Sequence, residues 1–154
     1  MATSLSTASL KVTIEEKITL NGVKRGSKVV KTISGIKEVY QRIVEVPTAG
    51  AEIVAIAAAK GADGFSTLTK YIRITNKDLT NFVTLNFYDN ADPNSADDLF
   101  SIKLEAGKSF ILGSTLFDAS TSDSDGLLTA NQQIAKISAQ ADTAACDIEI
   151  FIGE

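Results

Sequence analysis

Tyr71-Ile72-Arg73-Ile74-Thr75 and Phe82-Val83-Thr84-Leu85-Asn86-Phe87, joined by the polar segment Asn76 to Asn81, decide the fold class. Apolar and polar residues alternate along both runs. A period of two turns one side of each run toward a core and the other toward water. The asparagine-rich connector has turn chemistry, so the stretch predicts a β-hairpin. No nucleophile, general base or metal-ligating cluster lies within it.

The same period recurs on either side. Leu10, Val12 and Ile14 alternate with Lys11, Thr13 and Glu15, and Ile18-Thr19-Leu20 continues the run until Asn21-Gly22 breaks it. Lys24-Arg25-Gly26-Ser27 reads as a basic connector to a further strand through Val29-Val30 and Thr32-Ile33. Val39 to Val46 is rich in β-branched and aromatic residues and is closed by Pro47, which cannot donate to a ladder. Glu52 to Ala59 mixes helix-favouring alanines with an Ile-Val-x-Ile run and is read as a strand. Leu99 to Leu104, turning through Glu105-Ala106-Gly107-Lys108 into Ser109 to Leu112, predicts a second hairpin. After a polar stretch from Gly113 to Gly126, the pattern resumes at Ile134 to Ser138 and ends on Ile148, Ile150 and Ile152. About seven to nine short strands and no long helical period predict an all-β, antiparallel β-sandwich, with a jelly roll as the candidate winding. Met1 to Ser9, small and hydroxyl-rich, is expected to be a flexible N-terminal arm, with residues 10–154 forming one domain.

Composition narrows the chemistry. The chain has 154 residues, enough for a self-sufficient core, and a single cysteine, Cys146, which excludes an internal disulfide and reads as a buried small apolar residue. There is no histidine, so Ser/His/Asp and Cys/His triads and imidazole metal ligation are excluded. The start MATSLSTASLKVT has no basic region followed by an apolar core, so no secretory signal is expected, and no apolar run predicts a membrane span. The net charge of −4 is unevenly laid out. Residues 1–60 carry nine Lys/Arg against five Asp/Glu, and residues 61–154 carry six against fourteen. Such polarity can orient copies of a chain against one another or against a charged neighbour.

The motifs point away from catalysis and metals. Thr121-Ser122-Asp123-Ser124-Asp125-Gly126 resembles a calcium loop, but Thr121 stands at the first ligand position and Gln132 at the bidentate twelfth, so no metal is expected. Asp89, Asp92, Asp97 and Asp98 share a loop without ligand spacing. Neither Ser34-Gly35 nor Gly61-Ala62-Asp63-Gly64 is followed by the Lys-Ser/Thr of a phosphate loop, and no cofactor is expected. Lys24, Arg25, Lys28 and Lys31 form the one basic cluster and are the candidate partner-binding residues. The acidic balance, with a pI near 4.9, argues that their partner is a protein and not nucleic acid.

TIEEKITLNG (Thr13 to Gly22), ISGIKEVYQRIVEVPT (Ile33 to Thr48), YIRITNKDLTNFVTL (Tyr71 to Leu85), LEAGKSFIL (Leu104 to Leu112) and ADTAACDIEIFI (Ala141 to Ile152), taken in order, resemble small virion structural proteins of tailed bacteriophages, marine ones in particular. The resemblance implies a non-enzymatic coat or tail component, made in the host cytoplasm and carried in the virion. Its partners would be the major capsid protein or other virion proteins, without nucleic acid or membrane. It further implies a homo-oligomer, a trimer being favoured by the local three-fold axes of icosahedral shells. The phrases mark scaffold, so they assign no functional residue. Two alternatives stand beside a capsid decoration protein: a tail or fibre part, and a carbohydrate-binding sandwich for which Tyr40, Tyr71 and Tyr88 are the platform candidates.

Overall fold

The computed structural model describes residues 6–57, 65–66, 69–88, 98–113, 118–119 and 132–154. Among them every regular element is a strand. The chain divides into two compact units, Met1–Glu38 and Val39–Glu154. No boundary at residue 38 was legible in the sequence, and the first strand already starts at Ala8, inside the segment read as an arm.

The first unit is a long antiparallel ribbon. Strand β1 (Ala8–Glu15) pairs with β4 (Lys28–Ile36), and β2 (Ile18–Leu20) pairs with β3 (Val23–Arg25). Asn21 and Gly22 close the tip with φ of 50° and 76°. Two successive positive φ values are what a type I′ turn requires, and Asn-Gly tolerates them best. The segment read as a basic connector is in part ladder, since Lys24 and Arg25 belong to β3. Between the two ladders, Glu16 N–H donates to Ser27 O at 2.8 Å and Ser27 Oγ donates to Glu16 Oε2 at 2.5 Å. Gly26 sits there with φ of 132°, so close to the Glu16 carbonyl that any Cβ would collide with it.

The second unit is an antiparallel β-sandwich. In chain order its strands are β5 (Val39–Val46), β6 (Ala51–Ala57), β7 (Phe65–Ser66), β8 (Tyr71–Asn76), β9 (Val83–Tyr88), β10 (Asp98–Leu104), β11 (Ser109–Gly113), β12 (Asp118–Ala119), β13 (Gln132–Gln133), β14 (Lys136–Ala141) and β15 (Cys146–Gly153). One sheet has the order β11-β8-β15-β5; the other has β10-β9-β14-β6, with the two-residue β7 added parallel to β6. Among the described residues strands β12 and β13 pair only with each other. The inward residues of both sheets make one core, including Ile72, Ile74, Ile148, Ile150 and Ile152 from the first and Leu85, Phe87, Ile137 and Ala139 from the second. Phe87 stacks on Phe100 within its sheet at 4.3 Å between ring centroids and meets Phe110 of the facing sheet at 5.3 Å. Cys146 is buried, as its apolar surroundings in sequence predict.

Both sandwich hairpins expected from the sequence are corrected. Strand β8 pairs with β11 and β15, whereas β9 pairs with β10 and β14, so Tyr71–Asn76 and Val83–Tyr88 lie in opposite sheets. Strands β10 and β11 are separated in the same way. The polar connectors are therefore arches from one sheet to the other, and Asn76 builds them. Its fully buried side chain donates from Nδ2 to Asn81 O (2.9 Å) and Leu104 O (3.1 Å), and Oδ1 accepts from Asp78 N–H (2.9 Å). Its backbone N–H donates to Lys108 O, and its carbonyl accepts from Gly107 N–H. Both loops are thus fastened to one residue. Alternation reports which face of a strand is buried and is the same for a hairpin and an arch, which is why the pattern alone did not separate them.

Candidate interaction surface

The ribbon of the first unit has two chemically different faces. Cross-strand partners point to the same side, and the register pairs Leu10 with Ile33, Val12 with Lys31 and Ile14 with Val29 on one side. On the other side Lys11 pairs with Thr32, Thr13 with Val30 and Glu15 with Lys28. The first face is apolar apart from Lys31 and is only partly covered: Leu10, Val12 and Ile33 are half-buried, whereas Ile14 remains 47% exposed and Val29 56%. At the tip, Ile18, Leu20 and Val23 share a face with Arg25 and are all exposed. Each such half-covered side chain still has about 1 kcal/mol of burial to gain from a partner. A run of apolar residues of this extent, on a two-stranded ribbon that is marginal on its own, is a candidate interaction surface.

The four basic candidates all lie on this ribbon, but they are not one patch. Lys31 stands within the apolar face beside Val12 and Val29; Lys28 lies opposite Glu15 on the polar face. At the tip Arg25 joins the apolar side, opposite Ile18, and Lys24 faces away, opposite Thr19. Sequence reasoning found the charges and missed the larger feature, the uncovered apolar stripe. Its signal, the alternation from Leu10 to Ile14, was present and was read as the inner side of a strand.

The sandwich has its own exposed apolar points. Ile43 on β5 is 64% exposed, on the outward side shared with Gln41, Glu45, Asp147, Glu149 and Phe151. Leu79, in the arch after β8, is 92% exposed. Strand β5 is at the edge of its sheet. Beside Ile43 the Glu149 carboxylate accepts from Arg73 and, at 3.2 Å, from Gln41 Nε2, with Lys77 Nζ 3.9 Å away. The Arg73 hydrogen bond, aided by Gln41 and Lys77, holds this carboxyl below its ordinary range. In the arch, Asp78 Oδ1 accepts from the backbone N–H groups of Asn81 (2.7 Å) and Thr80 (2.8 Å), which likewise lower its pKa.

The three tyrosines differ in exposure. Tyr71 is buried, with its ring edge against Phe151 and its hydroxyl pKa raised by burial. Tyr40 and Tyr88 are half-buried, with the Arg42 guanidinium 5.3 Å and the Lys136 ammonium 4.2 Å from their ring centroids. Burial also pushes the Cys146 thiol up, with Asp78, Asp142 and Asp147 adding to it. Among the described residues no three Asp, Glu or Cys side chains gather as metal ligands. The calcium-like segment from Thr121, except for Gln132 in β13, and the acidic loop, except for its last residue Asp98 in β10, lie outside the described residues. No helix among the described residues is long and apolar enough to cross a membrane. No family model, curated protein or solved structure matches the chain.

Proposed function

We propose that the protein is a non-enzymatic structural component of a tailed-phage particle, a decoration or auxiliary protein that binds the capsid shell as a homo-oligomer and is carried in the virion. The observation that carries the reading is the uncovered apolar face of the β1–β4 ladder, with Ile14 and Val29 about half exposed. A protein that leaves hydrophobic residues exposed along a ribbon is suited to being placed against another surface. The five sequence phrases resembling phage virion proteins supply the setting.

The strand order favours the same class. We infer a jelly roll from it, taking the eight long strands of the sandwich in chain order. The sheet β5-β15-β8-β11 reads 1-8-3-6, and its partner β6-β14-β9-β10 reads 2-7-4-5. The chain changes sheet at each connection between these strands except from β9 to β10. That winding leaves loops at both ends and edge strands at the sides of both sheets, a scaffold suited to repeated contacts in a shell.

Labelling particles of the encoding phage with antibodies against this chain tests the function. Regular label over the head is the expected result in electron micrographs. Label confined to the tail would move the protein to a tail or fibre role, and purified particles free of the chain would overturn the proposal.

A further inference from the structure

We propose that the apolar face of the β1–β4 ladder docks on a second copy of this chain, over the outward face of that copy's β5–β15 pair around Ile43. The inference rests on the structural-component reading above and names the partner of its binding surface.

Charge selects the second copy's sandwich. The first unit carries seven Lys/Arg against three Asp/Glu, and the second carries eight against sixteen. Ribbon against ribbon would bring two positive units together and set Lys31 of one apolar face against the like charges of the other, a repulsive arrangement. Ribbon against sandwich pairs opposite signs. Around Ile43 the sandwich offers what the ribbon lacks: Ile43 itself is 64% exposed, and Glu45 and Asp147, cross-strand partners on the same outward side, supply negative charge. Ile14 and Val29 would cover Ile43, while Lys31 and Arg25 would face Glu45 and Asp147.

The backbone is suited to the same contact. Strand β5 has eight residues and a sheet edge with no neighbouring strand among the described residues, and β1 and β4 each have an open side as well. Open edges are places where another chain can add. The contact joins two different surfaces, so repetition closes a small ring where the rotation from copy to copy closes, and extends a filament where it does not.

Sedimentation of the full chain over a range of concentrations tests this, using two variants with substitutions at exposed positions. One, Ile14→Ser with Val29→Ser, alters the ribbon; the other, Ile43→Lys, alters the sandwich. Wild type is expected to self-associate, more weakly at high salt. Each variant alone should need roughly tenfold more protein to reach the same degree of assembly, with unchanged melting of the sandwich. Mixing the two variants leaves one intact ribbon and one intact sandwich face, so a one-to-one pair should form at protein concentrations where neither variant associates alone. Wild type that is monomeric at every concentration overturns the inference, as does an Ile43→Lys variant that assembles like wild type. Particle labelling separates the two readings: a monomer that decorates phage heads removes this contact and leaves the virion role. An assembling chain absent from particles does the reverse.

Discussion

Asn76 is where the inter-sheet arches are fixed. It is fully buried, and its amide is satisfied by the carbonyls of Asn81 and Leu104 and by the Asp78 N–H. Replacing it by Ala leaves three buried or half-buried backbone groups without partners, which costs far more than the lost side-chain contacts. Asn76→Ala should lower unfolding free energy by about 3 kcal/mol, read as a shifted urea midpoint at unchanged slope. A second residue-scale effect is electrostatic. Glu149 and Asp78 both have pKa values lowered in the folded protein, by the Arg73 hydrogen bond and by the Asn81 and Thr80 N–H groups respectively. A depressed folded pKa means that the stabilisation is present above the unfolded-state value and is lost as pH falls through the folded value. Melting temperature should therefore be flat near neutrality and fall below about pH 5. Glu149→Gln should flatten part of that fall, and a variant with the wild-type acid slope would refute its assignment to Glu149.

At the scale of elements, the pairing of β8 with β11 distinguishes a sandwich wound by arches from one built of sequential hairpins. Thr75 and Ser109 are direct cross-strand partners whose hydroxyl oxygens lie 2.8 Å apart. Cysteines at both positions should oxidise to a disulfide, detectable as a loss of two mass units in the unfolded protein. Closing that 34-residue separation should add up to about 4 kcal/mol on the chain-entropy account. Failure to oxidise under mild conditions would favour the hairpin pairing that the sequence suggested. The ladders of the ribbon, by contrast, depend on local devices: the Asn21-Gly22 turn and Gly26, whose missing Cβ lets the strands approach at Glu16.

For the whole molecule, the two units should differ in how firmly their amides are held. Strands β8, β9, β14 and β15 have paired neighbours on both sides and bury an isoleucine-rich core, so their exchange requires global opening. Among the described residues strands β1 to β4 have one neighbour each, and their apolar face is half exposed. In dilute protein the ribbon amides should exchange fastest among the strands. Protection there should rise with protein concentration and fall with salt, as expected for opposite charges meeting between copies. Hydrogen exchange resolved by peptide would check this, and ribbon protection independent of concentration would argue against any partner of its own kind.

The sequence by itself determined the strands and the sides of most of them. Alternation fixed Ile148, Ile150 and Ile152 as core, Pro47 ended β5, Asn21-Gly22 set a tight turn, and β-branched residues outweighed alanine in Ala51–Ala57. These outcomes depend on neighbours a few residues apart, which a linear pattern records. Tertiary structure alone decided the partners. Whether Asn76 to Asn81 folds back as a hairpin or crosses to the facing sheet turns on contacts with Leu104 and Lys108, about thirty residues away. The division at Glu38 was decided in the same way. Leu10, Val12 and Ile14 alternate just as the core strands do, but a period of two states only that one side is apolar. Only the packed structure distinguishes an apolar side that meets its own core from one that stays partly exposed.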